Sequence, residues 1–138
     1  MAADPSGTTW KVAHIDELPV EEGESPGTEW KPVRRFFDIK SFGTNLARAT
    51  HAGDVLTHDH DEIGSNHEEL FLIVSGHAAY RVGDEEIDAP AGTFLWCPDP
   101  AVLRGVVAKE PDTVMFVIGA EAGKAFAPSD WDKEPLPG

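Results

Sequence analysis

The sequence predicts an all-β fold, a barrel or sandwich of short strands. Three observations carry that expectation. From about Val33 to Gly119 the chain is a succession of short apolar or alternating runs. The segments between them are rich in Gly, Pro and Asp, and no stretch keeps a helical period for three turns. The length of 138 residues suits one domain, large enough to bury a core without disulfides or a structural metal.

Residues 1–32 mix Pro, Gly, Ser and acids (LPVEEGESPGTEW) without a sustained period and read as an irregular arm, with Trp10 and Trp30 as the residues to pin it. Residues 33–121 form the expected barrel. Within it HEELFLIVSG carries an unbroken apolar run from Leu70 to Val74, ended by Ser75 and Gly76, which suits a strand buried on both faces. HAAYRV alternates, Gly83-Asp84 makes a turn, and EEIDAP returns as a short strand. TFLWC, VLRGVVA and TVMFVIG follow, separated by CPDP and KEPD. Residues 122–138 form a polar, Pro-rich tail that Trp131 is expected to anchor.

Composition excludes several function classes. The formal net charge of −14 repels phosphate backbones, so nucleic acid is not an expected partner. No apolar run reaches the roughly 18 residues of a membrane helix, and the first residues, MAADPSGTTW, lack a signal-peptide core, so a cytoplasmic protein is expected. The single cysteine, Cys97, permits neither an internal disulfide nor a cysteine-based zinc cluster, and beside Trp96 it reads as buried packing.

Two segments resemble the paired motifs of the cupins, small jelly-roll β-barrels. The first motif runs G-x5-H-x-H-x(3,4)-E-x6-G. Glu69 and Gly76 match its second half, and Gly53, His58 and His60 resemble its start, although eight residues separate His60 from Glu69. The second runs G-x5-P-x-G-x2-H-x3-N. Gly92 and Pro98 match, but Pro100, Leu103 and Val107 stand where Gly, the metal-binding His and Asn are usual. The 15-residue spacer between Gly76 and Gly92 is similar to that of compact bacterial single-domain cupins. The resemblance covers about residues 42–119. It implies a double-stranded β-helix barrel and, in typical members, three imidazoles and one carboxylate converging on a first-row metal.

Leu103 removes one of those imidazoles. Strand parity puts His67, Glu69, Phe71 and Ile73 on one face, and His58 and His60 on one face of their own strand. Two arrangements follow. The insertion DEIGSN brings His67 in, so that His58, His60, His67 and Glu69 hold one divalent transition metal (Fe, Mn, Ni or Zn). Alternatively His67 and Glu69 form a metal-free hydrogen-bonded pair, with His58 and His60 on a solvent-facing loop. If a bulge at Pro98-Asp99-Pro100 shifts the register by one, the Arg104 guanidinium enters the barrel to clamp a carboxylate ligand. Phe71 and Tyr80 are further candidate ligand contacts. His77 and Arg81 read as rim or surface residues.

Three functions are compatible with this pattern. The first is a small-molecule-binding cupin with a polar His/Glu pocket, in which His67 and Glu69 would be the catalytic base and its orienter if it is an enzyme. The second is a metal-dependent oxygenase, isomerase or cyclase. The third is a non-enzymatic sensor or binding module. A homodimer is expected from the apolar run of the Glu69 strand.

Overall fold

The computed structural model describes residues 9–137; the first residues of the arm, 1–8, and Gly138 lie outside the described residues. Two short strands, β1 (Glu21–Glu22) and β2 (Thr28–Lys31), lie in the arm, and α1 (Val33–Phe37) is little more than one turn. The remaining strands are β3 (Gly43–Ala49), β4 (Val55–His60), β5 (His67–Ser75), β6 (His77–Val82), β7 (Glu85–Pro90), β8 (Phe94–Cys97), β9 (Arg104–Ala108) and β10 (Val114–Glu121). They form two antiparallel sheets, one in the order β1-β2-β3-β10-β5-β8, the other β4-β9-β6-β7.

Turn chemistry sets the breaks. β6 and β7 pair from Val82↔Glu85 to His77↔Pro90, so only Gly83 and Asp84 span the turn. Gly83 takes φ 58° there, which a side chain would resist. Gly76 has φ 79°, and a Cβ on it would run into Thr113. The turn is therefore closed to any larger residue, and it delivers β5 of one sheet directly to β6 of the other.

The core lies between the sheets. Phe71, Ile73 and Met115 of the first sheet meet Leu56, Tyr80 and Val106 of the second, with Ala47, Ala49, Ala78, Ala89 and Ala108 allowing close approach. Tyr80, expected as a ligand contact, belongs to this core instead. It is buried and donates its hydroxyl to the Thr93 carbonyl at 2.8 Å. Burial also raises the pKa of the Tyr80 hydroxyl and of the Cys97 thiol, so neither is poised to ionise.

Two expectations change. β5 is buried on one face only. The arm residues Ala13, Ile15 and Leu18 lie over Leu46 and Phe116, but Leu70, Val74, Phe94 and Trp96 stay exposed, because β8 is the sheet edge and nothing described covers it. The arm is also less irregular than its composition suggests: β2 pairs residue for residue with β3, which brings Trp30 against the core, whereas Trp10 is exposed. The tail is anchored at Trp131, whose ring meets Trp30 edge-on at 6.5 Å. Asp132 locks it, accepting from Arg34 Nε at 2.6 Å in a buried pair. No helix of the described residues is long and apolar enough to cross a membrane.

Candidate functional site

A cavity of about 700 Å³ opens at one end of the barrel. β5 supplies His67, Glu69 and Phe71 to its wall, β10 supplies Met115 and Val117, β3 supplies Asn45, and β4 supplies His58 and His60. The arm adds Trp30 and the Glu21–Glu24 turn, and the tail adds Phe126, Trp131 and Asp132. Phe71 forms the boundary, lining the cavity on one side and the core on the other.

The polar centre is built around His60. Its Nδ1 lies 2.8 Å from the His58 carbonyl, which fixes the ring and turns Nε2 inward. There Nε2 is 3.1 Å from Glu62 Oε2 and 3.7 Å from Glu69 Oε1. Glu62, then Glu69, stabilises the imidazolium more than burial opposes it, and the His60 pKa is pushed up to about 10. Burial works to raise the Glu62 carboxyl, but the hydrogen bonds from His60 and from Ser65 Oγ outweigh it and hold the group below its ordinary value. The loop after β4 places Glu62 through backbone bonds: its N–H donates to the Pro100 carbonyl and its carbonyl accepts from Asn66. His67 stacks on Phe126 at 5.7 Å between centroids, with Nδ1 3.7 Å from Glu62 Oε1.

Arg104 completes the arrangement from behind the wall. Arg104, Val106 and Ala108 alternate inward along β9, so Leu103 points out and is 45% exposed while Arg104 is 0% exposed. The inward phase starts one residue later than the resemblance implies, after the Pro98-Asp99-Pro100 turn. The guanidinium donates from Nη1 to Glu69 Oε1 at 3.1 Å and from Nη2 to the Asp99 carbonyl at 2.9 Å. It clamps a carboxylate of its own chain and does not line the cavity.

The candidate residues therefore separate. His60 and Glu69 come together, but their third partner is Glu62, a residue of the DEIGSN insertion. His67 and Glu69 share the cavity wall without a mutual hydrogen bond; Arg104 holds Glu69, and Glu62 faces His67. His58 lies at the exposed rim of the cavity and pairs with Glu24 at 2.5 Å. His77 and Arg81 pair with Asp88 and Asp59 away from the cavity. Asn45, Trp30 and Asp132 had no motif to mark them. The one available signal was Asn45, a poor strand former sharing parity with Ala47 and Ala49.

The donor set fits the metal site of typical cupins poorly. Of the residues that would hold the ion, Leu103 faces solvent, His58 is engaged by Glu24, and a guanidinium already occupies Glu69 Oε1. One ligand atom each of His60, Glu62 and Glu69 does lie within 4.8 Å of the others, a smaller and different set.

Seven carboxylates line the cavity, those of Glu21, Glu22, Glu24, Asp61, Glu62, Glu69 and Asp132, with three imidazoles and no lysine or arginine among the described residues. Arg35 reaches Glu21, and Arg34 reaches Asp132, from outside the lining.

No family model matches the chain, and no curated protein sequence does. Solved structures do match. KdgF from Halomonas superposes with a TM-score of 0.66 at 19% identity, covering 86% of this chain and 96% of that one. A sugar phosphate isomerase of the cupin superfamily from Silicibacter pomeroyi gives 0.62 at 16% identity, covering 90% and 95%. A Streptomyces PAC13 variant with uridine gives 0.62 at 12% identity, covering 91% and 88%. The two facing antiparallel sheets, the position of Gly76 between them and these superpositions identify the fold as that of the cupins, a jelly-roll β-barrel.

Proposed function

We propose that the open end of the barrel binds a small organic molecule without the help of a metal ion. The observation that carries this reading is the Arg104–Glu69 pair. A fully buried guanidinium already balances the carboxylate that a cupin would ordinarily offer to a metal. A cavity of about 700 Å³, with an apolar floor at Phe71 and Met115 and a few convergent polar groups, has the size and character of a small-molecule site. The names of the similar structures are compatible with it: a sugar phosphate isomerase in one, uridine in another.

If the site turns its ligand over, the proton-moving pair is His67 with Glu62 beside it, since His60 is held as an imidazolium and Glu69 is held by Arg104. A sensor or binding module would use the same cavity without turnover. A compound screen in the presence of EDTA tests the reading. Binders are expected that shift the NMR signals of Phe71 and His67 and keep their affinity in EDTA. Loss of every binder in EDTA would overturn it.

The second reading is a divalent Fe, Mn, Ni or Zn ion at His60, Glu62 and Glu69, supported by the convergence of their ligand atoms. Such an ion would have to displace the His60 proton and share Glu69 Oε1 with Arg104. As assembly we propose a homodimer that covers the exposed Leu70, Phe94 and Trp96. Light scattering of wild type and Trp96→Glu tests it, and a monomeric wild type would refute it.

A further inference from the structure

We infer that the occupant of this cavity is an organic cation carrying N–H donors, a protonated amine set against an aromatic wall. The inference rests on the small-molecule reading and narrows it to a chemical class.

The first support is the balance of donors and acceptors left open. Asn45 sits on the inner face of β3, opposite Val117, and is 6% exposed. Its Oδ1 is buried in the cavity wall with no hydrogen-bond partner. Asp132 Oδ1 also lacks a hydrogen bond, but it faces the equally unpartnered Arg35 Nε at 3.8 Å, so these two are left to each other. The Asn45 oxygen is an acceptor, and a buried acceptor without a donor is costly to leave so. Two buried donors are also unpartnered, Arg35 Nε and Arg104 Nε, but neither side chain lines the cavity. What the wall lacks is a donor.

The second support is sign. The arginines that reach Glu21, Asp132 and Glu69 come from behind and leave the acids in excess. Even with the His60 imidazolium and the arginines behind Glu21, Asp132 and Glu69 counted, a phosphate or carboxylate entering the cavity would face an excess of carboxylates and meet no lysine or arginine among the described lining residues. A neutral polyol would satisfy Asn45 but gain nothing from the charge. The third support is the wall made by Trp30, Trp131 and Phe126. An ammonium desolvated beside such rings is attracted by their negative faces, and the hydrocarbon next to it is buried by their area.

Three compounds that share a phenyl ring and a short chain isolate charge: 2-phenylethylamine, 2-phenylethanol and 3-phenylpropionate. Titrations would be followed through the Asn45 side-chain amide and the His67 ring by NMR. The amine is expected to bind about tenfold more tightly than the alcohol, with no binding of the acid. Asn45→Leu should weaken the amine by about tenfold. Should that variant fail to fold, Glu22→Gln/Asp61→Asn, changed only at exposed side chains, should weaken it by about threefold. Unchanged amine affinity in the folded variants overturns the inference. Tighter binding of the acid or the alcohol at the same signals also overturns it, and leaves the small-molecule reading standing. Binding of none of the three overturns it as well; the broader reading then falls only if the screen in EDTA also finds no occupant.

Discussion

β5 enters the barrel at His67 and Glu69 and runs on to Phe71 and Ile73, so one strand carries both a polar cavity wall and packed core on the same face. On β10 Val117 and Met115 belong both to the cavity wall and to the core cluster, and β9 starts with the buried Arg104 before Val106 and Ala108. At the closed end the residues are held by volume. Small alanines and large Phe, Tyr and Ile side chains fill the space, and the Tyr80 hydroxyl is satisfied by the Thr93 carbonyl. At the open end they are held by charge and hydrogen bonds from elements far apart in sequence, and two buried acceptors, Asn45 Oδ1 and Asp132 Oδ1, have no hydrogen bond. The contrast teaches that the fold is stabilised at one end and spends part of that stability on preorganised polar groups at the other.

The largest way to break this contrast is Arg104→Met. It removes a buried cation from beside Glu69 and should cost about 4 kcal/mol in urea unfolding. Adding Glu69→Leu should return most of the loss, because the uncompensated charge goes with it. Ile73→Ala at the closed end should cost about 3 kcal/mol by leaving a cavity, while ligand affinity at the open end stays as in wild type.

His60→Gln sharpens the electrostatic side. The folded-state pKa of His60, about 10, is raised above the ordinary imidazole value of 6.5, so its contribution is fully present below about pH 6.5 and is lost as pH rises toward 10. Wild type should therefore lose stability relative to His60→Gln between pH 7 and 10, on the order of 1 kcal/mol after allowance for solvent screening. A flat difference across that window would contradict the arrangement of His60 between Glu62 and Glu69. The smallest effect, and opposite in sign, is expected from Asn45→Leu, which removes an unmet buried acceptor and should stabilise the protein by about 1 kcal/mol in thermal melts.

Much of the barrel could be read from the chain because its strands carry local signals. The Val82-Gly83-Asp84-Glu85 turn, the Gly76 break and the parity of His67, Glu69, Phe71 and Ile73 all follow from nearest-neighbour geometry. The site was less legible. Glu62 is placed by backbone bonds to Pro100 and Asn66, Asp132 by Arg34 from the opposite end of the chain, and Trp30 by pairing with β3 inside a segment that looked irregular. Each depends on contacts between distant segments, which composition and period do not encode. Arg104 lay between these cases. Its entry into the barrel was conditional on a one-residue shift after Pro100, and the conformation of that turn decides it.

The most direct test of the central claim is metal content, measured by elemental mass spectrometry on protein purified without an affinity tag, incubated with iron, manganese, nickel and zinc, then desalted. With Arg104 as the resident cation, wild type and Glu69→Gln should both retain far less than about one ion per chain. About one ion per wild-type chain, lost in Glu69→Gln, would contradict the account and place a metal among His60, Glu62 and Glu69.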